Sequence, residues 1–420
     1  MYILALNCGS SSLKYQVYNA ETKQPVVGGL VEKIGQQDSF VTQKYPDGKK
    51  EKEVKVVPMQ NHDEALGVVF NMLRAASIDM NEIGGVGHRV VMGGDKFASS
   101  VEITDDVIRT LTELSPLAPL HNPAGIAGIN AARQLLPNAK QVAVFDTAFH
   151  QTMPEVAYSY PVPKAWRTEL GVRRYGFHGT SHLYVSKRAA AMLGKPADQC
   201  NLITLHIGSG ASATAIRGGR SVDTSMGMTP TPGLTMGTRC GDIDPAIVVY
   251  VMKRLGINAD QVQTHLNKDS GLKAITECFS DRRDIEDNRE TNDKCRLAMD
   301  IEVHNVKKYI GSYMAELGHV DAIVFTAGVG ENDEILREMF CDGLEELGIK
   351  LDKEINRVTL ARKGYGETVL STPDSKIKIF MIPTNEELVI VEDTLAIMNG
   401  TYNPDHLKMN YSFAQIAKQR

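Results

Sequence analysis

Apolar and polar positions along this chain switch repeatedly between a period of two and a period near 3.6. At the start, an apolar run over residues 3–6 stops at Asn7, and a small, hydroxyl-rich stretch follows through Cys8, Gly9, Ser10, Ser11 and Ser12. Beyond it, Leu13, Tyr15 and Val17 fall on one face and Ser12, Lys14 and Gln16 on the other. Strand, Gly/Ser turn and strand read as a hairpin. Strand patterns recur at 25–31 and 39–42, followed by a turn signal at Tyr45, Pro46, Asp47 and Gly48. Residues 63–76 take the helical period through Ala65, Leu66, Val69, Leu73 and Ala76. A buried strand is predicted over 83–91, carrying His88 and Arg89 near its end. Helices are predicted over 103–114 and 124–135, on either side of a proline-rich loop that contains Leu120, and a short strand over 141–145 ends in Asp146.

In the remainder, strands alternate with helices. Helices are predicted over 182–193, closed by Gly194; over 246–255, opened by Asp244 as N-cap and Pro245 as first residue; and over 301–317, closed by Gly318. Strands are predicted over 202–205, 320–325 and 376–382. Asn332 or Asp333 caps a helix over 334–347, and Asn385 caps a last one over 386–398. After Gly400 there is no period, and loose packing is expected. One internal echo stands out. Residues 202–212 repeat the layout of residues 3–12: an apolar strand, a polar residue (Asn7 or His206), Gly-Ser, then a second strand, here 213–217. A third strand–glycine–helix junction spans 325–332. Two such beginnings, almost half the chain apart, predict a duplicated domain with the site in the cleft between the copies. Chance resemblance of short β-turns is the alternative.

Composition narrows the field. A chain of 420 residues exceeds one ordinary core, so two domains are expected. With 42% apolar and 23% charged residues it reads as a soluble globular protein. A net charge of −5 argues against a nucleic-acid surface but allows a local basic cleft for an anionic substrate. The six cysteines are scattered without a CxxC pair, which fits reduced thiols rather than a disulfide frame or a zinc site. The N-terminal run lacks a basic flank, and no apolar stretch approaches the ~18 residues of a membrane span. A cytoplasmic protein without membrane or nucleic-acid partners is expected.

The candidate chemistry lies in the glycine-rich junctions. Neither GxxxxGK[ST] nor GxGxxG occurs, and Gly208-Ser-Gly or Gly328-Val-Gly alone is weak. Their shared position just past apolar strands gives them weight, because ligands gather at the carboxyl ends of strands. Together they point to a nucleoside triphosphate. In the first hairpin, hydroxyls, opened N–H groups and Lys14 can surround phosphate oxygens, and Asn7 can meet a metal or a phosphate; an ordinary Gly/Ser hairpin is the alternative. Phosphoryl transfer needs cationic donors, a metal and in-line placement. Arg89, the 175–182 turn with His178 and His182, and the loop holding Arg239 supply donors. Asp146 ends a strand. Glu386 begins a helix, where compensation of the helix dipole would also suit it.

The set Asn7 to Lys14, Gly87 to Val91, Phe145 to His150, Tyr175 to His182, Gly237 to Asp242 and Pro383 to Glu387 resembles the acetokinase family, in order, from residue 2 to about 398. That resemblance implies an α/β protein of two duplicated ribonuclease-H-like (actin-like ATPase) domains with a nucleotide cleft between them. It implies an acyl-substrate domain over 1–150 plus a C-terminal helix about 386–420, and a nucleotide-binding domain over 151–385. The implied reaction is reversible, in-line transfer of the ATP γ-phosphate to acetate, giving ADP and acetyl phosphate, with Mg²⁺ and with Mn²⁺ able to substitute. Asn7 and Glu386 would hold the metal, and Ser10, Ser12 and Lys14 would lie near the phosphates. Arg89 would pair with the acetate carboxylate, with Val91, Leu120 and Phe177 around its methyl group. Asp146, His178 and Arg239 would be the catalytic set. His206, Ile207, Gly208, Ser209, Gly210, Asp281, Arg282, Arg283, Gly328, Val329, Gly330, Glu331 and Asn332 would bind nucleotide. A homodimer is implied. Acetate is already ionised at pH 7, so no strong base is needed, and Asp146 is expected to orient Mg²⁺ or Arg239. The sequence departs from the family pattern in three places. Ser209 stands for a usual Asn, Met92 for a common His, and 271–280 lacks a Leu-Gly-x-Ser-Gly run. Propionate or butyrate kinase and a pyrophosphate-linked relative remain alternatives within the family. A nucleotide-driven chaperone or filament relative is the alternative outside it, but it has no use for Arg89 and Arg239.

Overall fold

The computed structural model of the chain describes residues 1–46, 52–119 and 121–415. The end of the 45–48 turn signal and Leu120 therefore lie outside the described residues. Contacts divide the chain into two units: Met1–Gln151 with Asn385–Tyr411, and Thr152–Thr384 with Ser412–Arg420.

The first unit holds an eight-stranded sheet of β1 (Tyr2–Cys8), β2 (Ser12–Asn19), β3 (Pro25–Glu32), β4 (Phe40–Lys44), β5 (Glu53–Val56), β6 (Ile83–Val90), β7 (Val101–Glu102) and β8 (Lys140–Phe145). Its order is β5-β4-β3-β2-β1-β6-β8-β7. The second holds β9 (Leu202–Ile207), β10 (Ala211–Arg217), β11 (Arg220–Thr224), β12 (Ala322–Thr326), β13 (Thr368–Val369) and β14 (Lys378–Met381), in the order β11-β10-β9-β12-β14-β13. Six strands correspond. β3-β2-β1-β6-β8-β7 and β11-β10-β9-β12-β14-β13 share connectivity and directions: two antiparallel pairings, two parallel ones, then a two-residue antiparallel edge. The echo between 3–12 and 202–212 is the repeated first hairpin of this ribonuclease-H-like sheet, so the duplication is real.

Helices cover both faces of the first sheet. His62–Ala75 and Asn122–Leu135 pack with Leu4, Leu6, Leu13, Tyr15 and Val17, while Glu386–Met398 packs with Ile3, Ala5, Val142 and Val144 through Ile390, Val391 and Leu395. The last helix sits close because β6 is glycine-rich. A methyl group on Gly87 would lie 2.4 Å from Ile390 Cγ2 and 2.5 Å from Thr394 Oγ1. Its N-cap is Asn385, which accepts from Leu388 N at 3.0 Å, and this fixes where Glu386 begins the helix. Among the described residues no helix is long and apolar enough to cross a membrane.

Several boundaries differ from the periodic reading. The helix expected over 301–317 runs Asp293–Leu317 from the N-cap Asn292, and Cys295, Ala298 and Met299 carry its buried face back through the first two turns. The one expected over 334–347 stops at Cys341; Gly343 then takes φ +75°, which breaks the helical path. Pro245, not Asp244, is the cap residue of Ala246–Leu255, although Asp244 Oδ1 accepts from Ala246 N. Over residues 401–415 the chain does not pack loosely: Met409, Tyr411 and Phe413 are buried, and Tyr411 donates to Asp393 at 2.8 Å. Anchors at irregular spacing leave no period to read. Nor does the first domain's C-terminal segment run to 420 as expected. Ser412–Arg420 group with the second unit, where Phe413 packs on Tyr184 and its carbonyl accepts from Arg188 Nη1.

Candidate active site

In the first unit, three neighbouring parallel strands deliver three polar side chains at the same edge. Asn7 lies at the carboxyl end of β1, Arg89 near the end of β6, and Asp146 one residue past β8. This is the sheet edge where ligands gather in open α/β folds. Asp146 is 1% exposed and grips Arg89 with both oxygens, Nε to Oδ1 at 2.8 Å and Nη2 to Oδ2 at 2.6 Å. Nη1 is the nitrogen of Arg89 that Asp146 does not engage. Burial works against the charge on Arg89, but Asp146 and Glu386 outweigh it, and the guanidinium is held more firmly protonated than usual.

Helix Glu386–Met398 brings its first residue to the same place. Asn7, Lys14, Arg89, Glu386, Glu387 and Ile390 line one small cleft. Glu386 Oε1 is buried and has no hydrogen-bond partner. Burial pushes its carboxyl up to about 7, Arg89 pulls it down, and Asp146 pushes it up again. A buried, orphaned carboxylate oxygen beside an Asn amide fits a hard cation with few protein ligands, as Mg²⁺ is usually held. Among the described residues no group of three or more His, Cys, Asp or Glu side chains forms a cage, so substrate oxygens and water would have to complete the coordination. Glu387, which sequence reasoning missed, pairs with Lys14. The hairpin tip is braced by Gly9 N to Ser12 O at 2.8 Å and by His62 Nε2 on Gly9 O at 2.8 Å. Ser10 is exposed and Ser12 half-buried. Val91 is half-buried; Met92 is fully buried, its backbone clamped by the Asn122 amide in both directions.

In the second unit the repeated hairpin is again the centre. His206 and Ser212 face each other across β9 and β10. His178 precedes helix Gly179–Leu193 in the left-handed region, φ +55°, and its ring stacks on His206 with centroids 4.0 Å apart. His178 Nδ1 meets Ser212 Oγ at 2.9 Å, and His206 Nδ1 meets Ser181 Oγ at 2.8 Å. A methyl group on Gly210 would stand 3.3 Å from Arg239 Nη1 and 3.6 Å from His178 Nε2. Arg239 and His178 therefore converge on this turn. Arg239 Nη1 also donates to Pro230 O at 3.1 Å. Phe177 is 1% exposed. Gly271, with φ +62°, lets its backbone press against Met236 O and Arg239 O where a side chain would collide.

The other nucleotide candidates divide into two kinds. Arg282 is buried; its Nε and Nη2 go to Glu302, and Nη1 donates to Gly208 O at 2.7 Å. It braces the turn from beneath. Asp281 caps the helix Arg282–Asn288, and its carboxylate pairs with exposed Arg283. Gly328 is exposed, with open space beside its Cα, and Val329 is half-buried. Glu331 turns inward, accepting from Ala327 N at 2.8 Å and Thr384 N at 3.0 Å; burial raises its carboxyl despite these bonds. Asn332 accepts from Arg362 N. Arg337, absent from the sequence-derived set, is 0% exposed and donates to Gly330 O at 2.9 Å. Burial pulls its guanidinium down to about 10.

Two ribonuclease-H-like units, each with its polar residues at the carboxyl ends of the central strands, define a protein of the duplicated actin-like ATPase class. The sequence matches the profile of the Acetokinase family over residues 2–392, and the chain belongs to that family. It is 52% identical to an acetate kinase of Geobacter sulfurreducens, covering 99% of this chain and 99% of that protein. An acetate kinase of Treponema pallidum is 48% identical, with 98% and 92% covered. Among solved structures, Porphyromonas gingivalis acetate kinase superposes with a TM-score of 0.89 at 44% identity, over 94% of this chain and 99% of that one. A propionate kinase from Francisella tularensis does so with a TM-score of 0.87 at 40% identity, over 93% and 98%.

Proposed function

We propose that the chain is an acetate kinase, transferring the γ-phosphate of ATP to acetate to give acetyl phosphate and ADP, reversibly and in line. The observation that carries this reading is the gathering of Asn7, Arg89, Asp146 and Glu386 around the ends of three parallel strands, in a chain about 50% identical to acetate kinases over nearly its full length. Both reactants are anions, so the chemistry is a problem of holding like charges together and neutralising the moving group. Asp146 spends both oxygens on fixing Arg89, which leaves Nη1 for one carboxylate oxygen of acetate. Asp146 thus orients and does not remove a proton, since acetate has none to give at neutral pH. Glu386 and Asn7 would hold Mg²⁺, which supplies charge neutralisation on the phosphate oxygens. Ser10, Ser12 and Lys14 lie towards the phosphates, with Glu387 steadying Lys14. His178 and Arg239 donate to the phosphoryl group in flight, and the turns at 206–210 and 328–332 carry the nucleotide. Val91, just past the end of β6, borders the methyl group in this reading. The acyl substrate thus belongs to the first unit and the nucleotide to the second.

The second reading is propionate kinase, favoured by the Francisella tularensis neighbour. A hydroxamate assay for acyl phosphate, run with acetate, propionate and butyrate against ATP and pyrophosphate, tests all of these at once. Activity highest with acetate and ATP is expected; no acyl phosphate from any pair would end the proposal. The protein works as a homodimer in this reading. Helix Ala246–Leu255 buries none of its ten residues yet exposes Ile247, Val249, Tyr250 and Leu255 around its circumference, apolar surface that a second copy would cover in part. Sedimentation of the full chain reads the mass.

A further inference from the structure

Thr204, His182 and Ser212 have no part in the proposed phosphoryl transfer, although the sequence offers His182 as a candidate donor, yet they form one buried chain of hydrogen bonds ending on His178. Thr204 Oγ1 lies 2.7 Å from His182 Nδ1, His182 Nε2 lies 2.8 Å from Ser212 Oγ, and Ser212 Oγ lies 2.9 Å from His178 Nδ1. All three residues are 0% exposed. Each hydroxyl has a single proton, so the chain can run in one of two directions. Among the described residues, the Thr204 hydroxyl has no other hydrogen-bond partner than His182 Nδ1. If Thr204 donates, His182 carries its proton on Nε2 and gives it to Ser212. Ser212 then donates to His178 Nδ1, and the proton of His178 sits on Nε2. Every buried donor of the chain then has an acceptor. If the chain runs the other way, His178 donates from Nδ1 and the Thr204 proton is buried with no acceptor, an unfavourable state. A charged His178 or a charged His182 likewise leaves one buried hydroxyl proton, of Thr204 or of Ser212, without an acceptor. The ring of His178 also stacks on His206 at 4.0 Å, where two positive rings would repel.

We infer that Thr204, His182 and Ser212 are positioning residues that hold His178 as the neutral Nε2–H tautomer, so that it turns a donor towards the anionic group bound at the Gly210 turn. The inference rests on the reading of His178 as a phosphoryl-binding group; the tautomer itself does not. The test is long-range ¹H–¹⁵N correlation on the full chain labelled at histidine, with His178 assigned by its loss in His178→Gln. Near neutral pH the native protein shows a bare Nδ1 and a protonated Nε2 at His178. Thr204→Val, of almost the same shape, removes the first donor and produces a mixed tautomer. In that variant kcat falls about tenfold or more, with the KM values for acetate and ATP little changed. Thr204→Ser restores both readouts. A protonated Nδ1 in the native protein overturns the inference, as does an unchanged tautomer in Thr204→Val. Should Thr204→Val not fold, as judged by its melting curve, Ser212→Ala interrupts the same chain, and the native spectrum alone decides the tautomer. If the native protein shows this tautomer but forms no acyl phosphate, the proposed activity fails while the proton arrangement stands.

Discussion

Replacing Arg89 with Lys isolates what a planar fork contributes that a point charge does not. In the native protein Arg89 uses Nε and Nη2 on the two oxygens of Asp146, which is almost wholly buried, and the proposed function gives Nη1 to the substrate. A lysine ammonium has one nitrogen. It can sit on Asp146 or reach for acetate, but it cannot hold both with fixed geometry. Staying on Asp146 preserves the fold, because the buried carboxylate keeps a counter-charge. The loss then falls on the substrate side, as one charge-assisted hydrogen bond of about 1.5–3 kcal/mol. That corresponds to a fall in kcat/KM for acetate of roughly 10- to 150-fold, with the KM for ATP nearly unchanged. Steady-state kinetics by hydroxamate trapping, varying acetate at saturating ATP and then the reverse, separates the two. A rise confined to the KM for ATP would refute the assignment of Arg89 to the carboxylate. An unchanged kcat/KM would show that Nη1 makes no contact that matters.

Three further outcomes follow from the same geometry. Val91→Ala should raise propionate turnover relative to acetate, because a half-buried branched side chain gives way to space for one more methylene; an unchanged ratio shows that Val91 does not set chain length. Glu386→Gln removes a carboxyl that burial pushes up to about 7, so at pH 8 without metal the variant should melt higher than the native protein. Its KM for Mg²⁺ should nevertheless rise at least about tenfold, and unaltered Mg²⁺ dependence would remove Glu386 from the metal site. Asp393, buried between the Ser100 and Tyr411 hydroxyls, is pushed by burial from the ordinary 3.8 to about 6. Its protonated form is the one the fold favours, so its contribution is whole below about pH 4 and is lost as pH rises towards 6, by up to about 3 kcal/mol. Asp393→Asn should therefore flatten the denaturant stability profile between about pH 4 and 6, and an identical slope in the variant would refute the burial argument.

What the sequence made legible follows from range. A two-fold period running into Gly and Ser is set by residues within a few positions of each other, so both hairpins could be read, and with them the duplication. Asn7 and Asp146 were legible for the same reason, each marking the point where an apolar run stops, whereas Arg89 stands out as a charge inside one, just before Val90 and Val91. Glu386 could be placed at a helix start, but not beside Arg89, because more than 290 positions separate them in the chain. Glu387 lay in plain sight one residue on; only the fold shows that Lys14 is its partner. The chain from Thr204 to His178 left no trace at all, since hydroxyls in strands are commonplace and the register across β9 and β10 is what sets His206 opposite Ser212.

The arginines show where sequence stops being informative. Arg239, Arg282, Arg283 and Arg337 all sit near glycine-rich turns, and by composition any of them could face a phosphate. The fold sorts them by where their partners come from. Arg282 meets Glu302, two turns into a 25-residue helix, and passes its remaining nitrogen to Gly208 O; Arg337 meets Asn356 and passes one to Gly330 O. Two buried guanidiniums thus hold the carbonyl of a glycine in each proposed nucleotide turn. A carbonyl so engaged fixes the turn without using its N–H groups, and N–H groups are what an anion requires. Arg239 differs because it is only half-buried and lies against the chain at Gly210 itself. The charge that shapes a phosphate turn from below and the charge that meets the phosphate from above are the same side chain in the sequence. What takes Arg282 and Arg337 away from the phosphate is a carboxylate or amide partner elsewhere in the fold that has already claimed the fork.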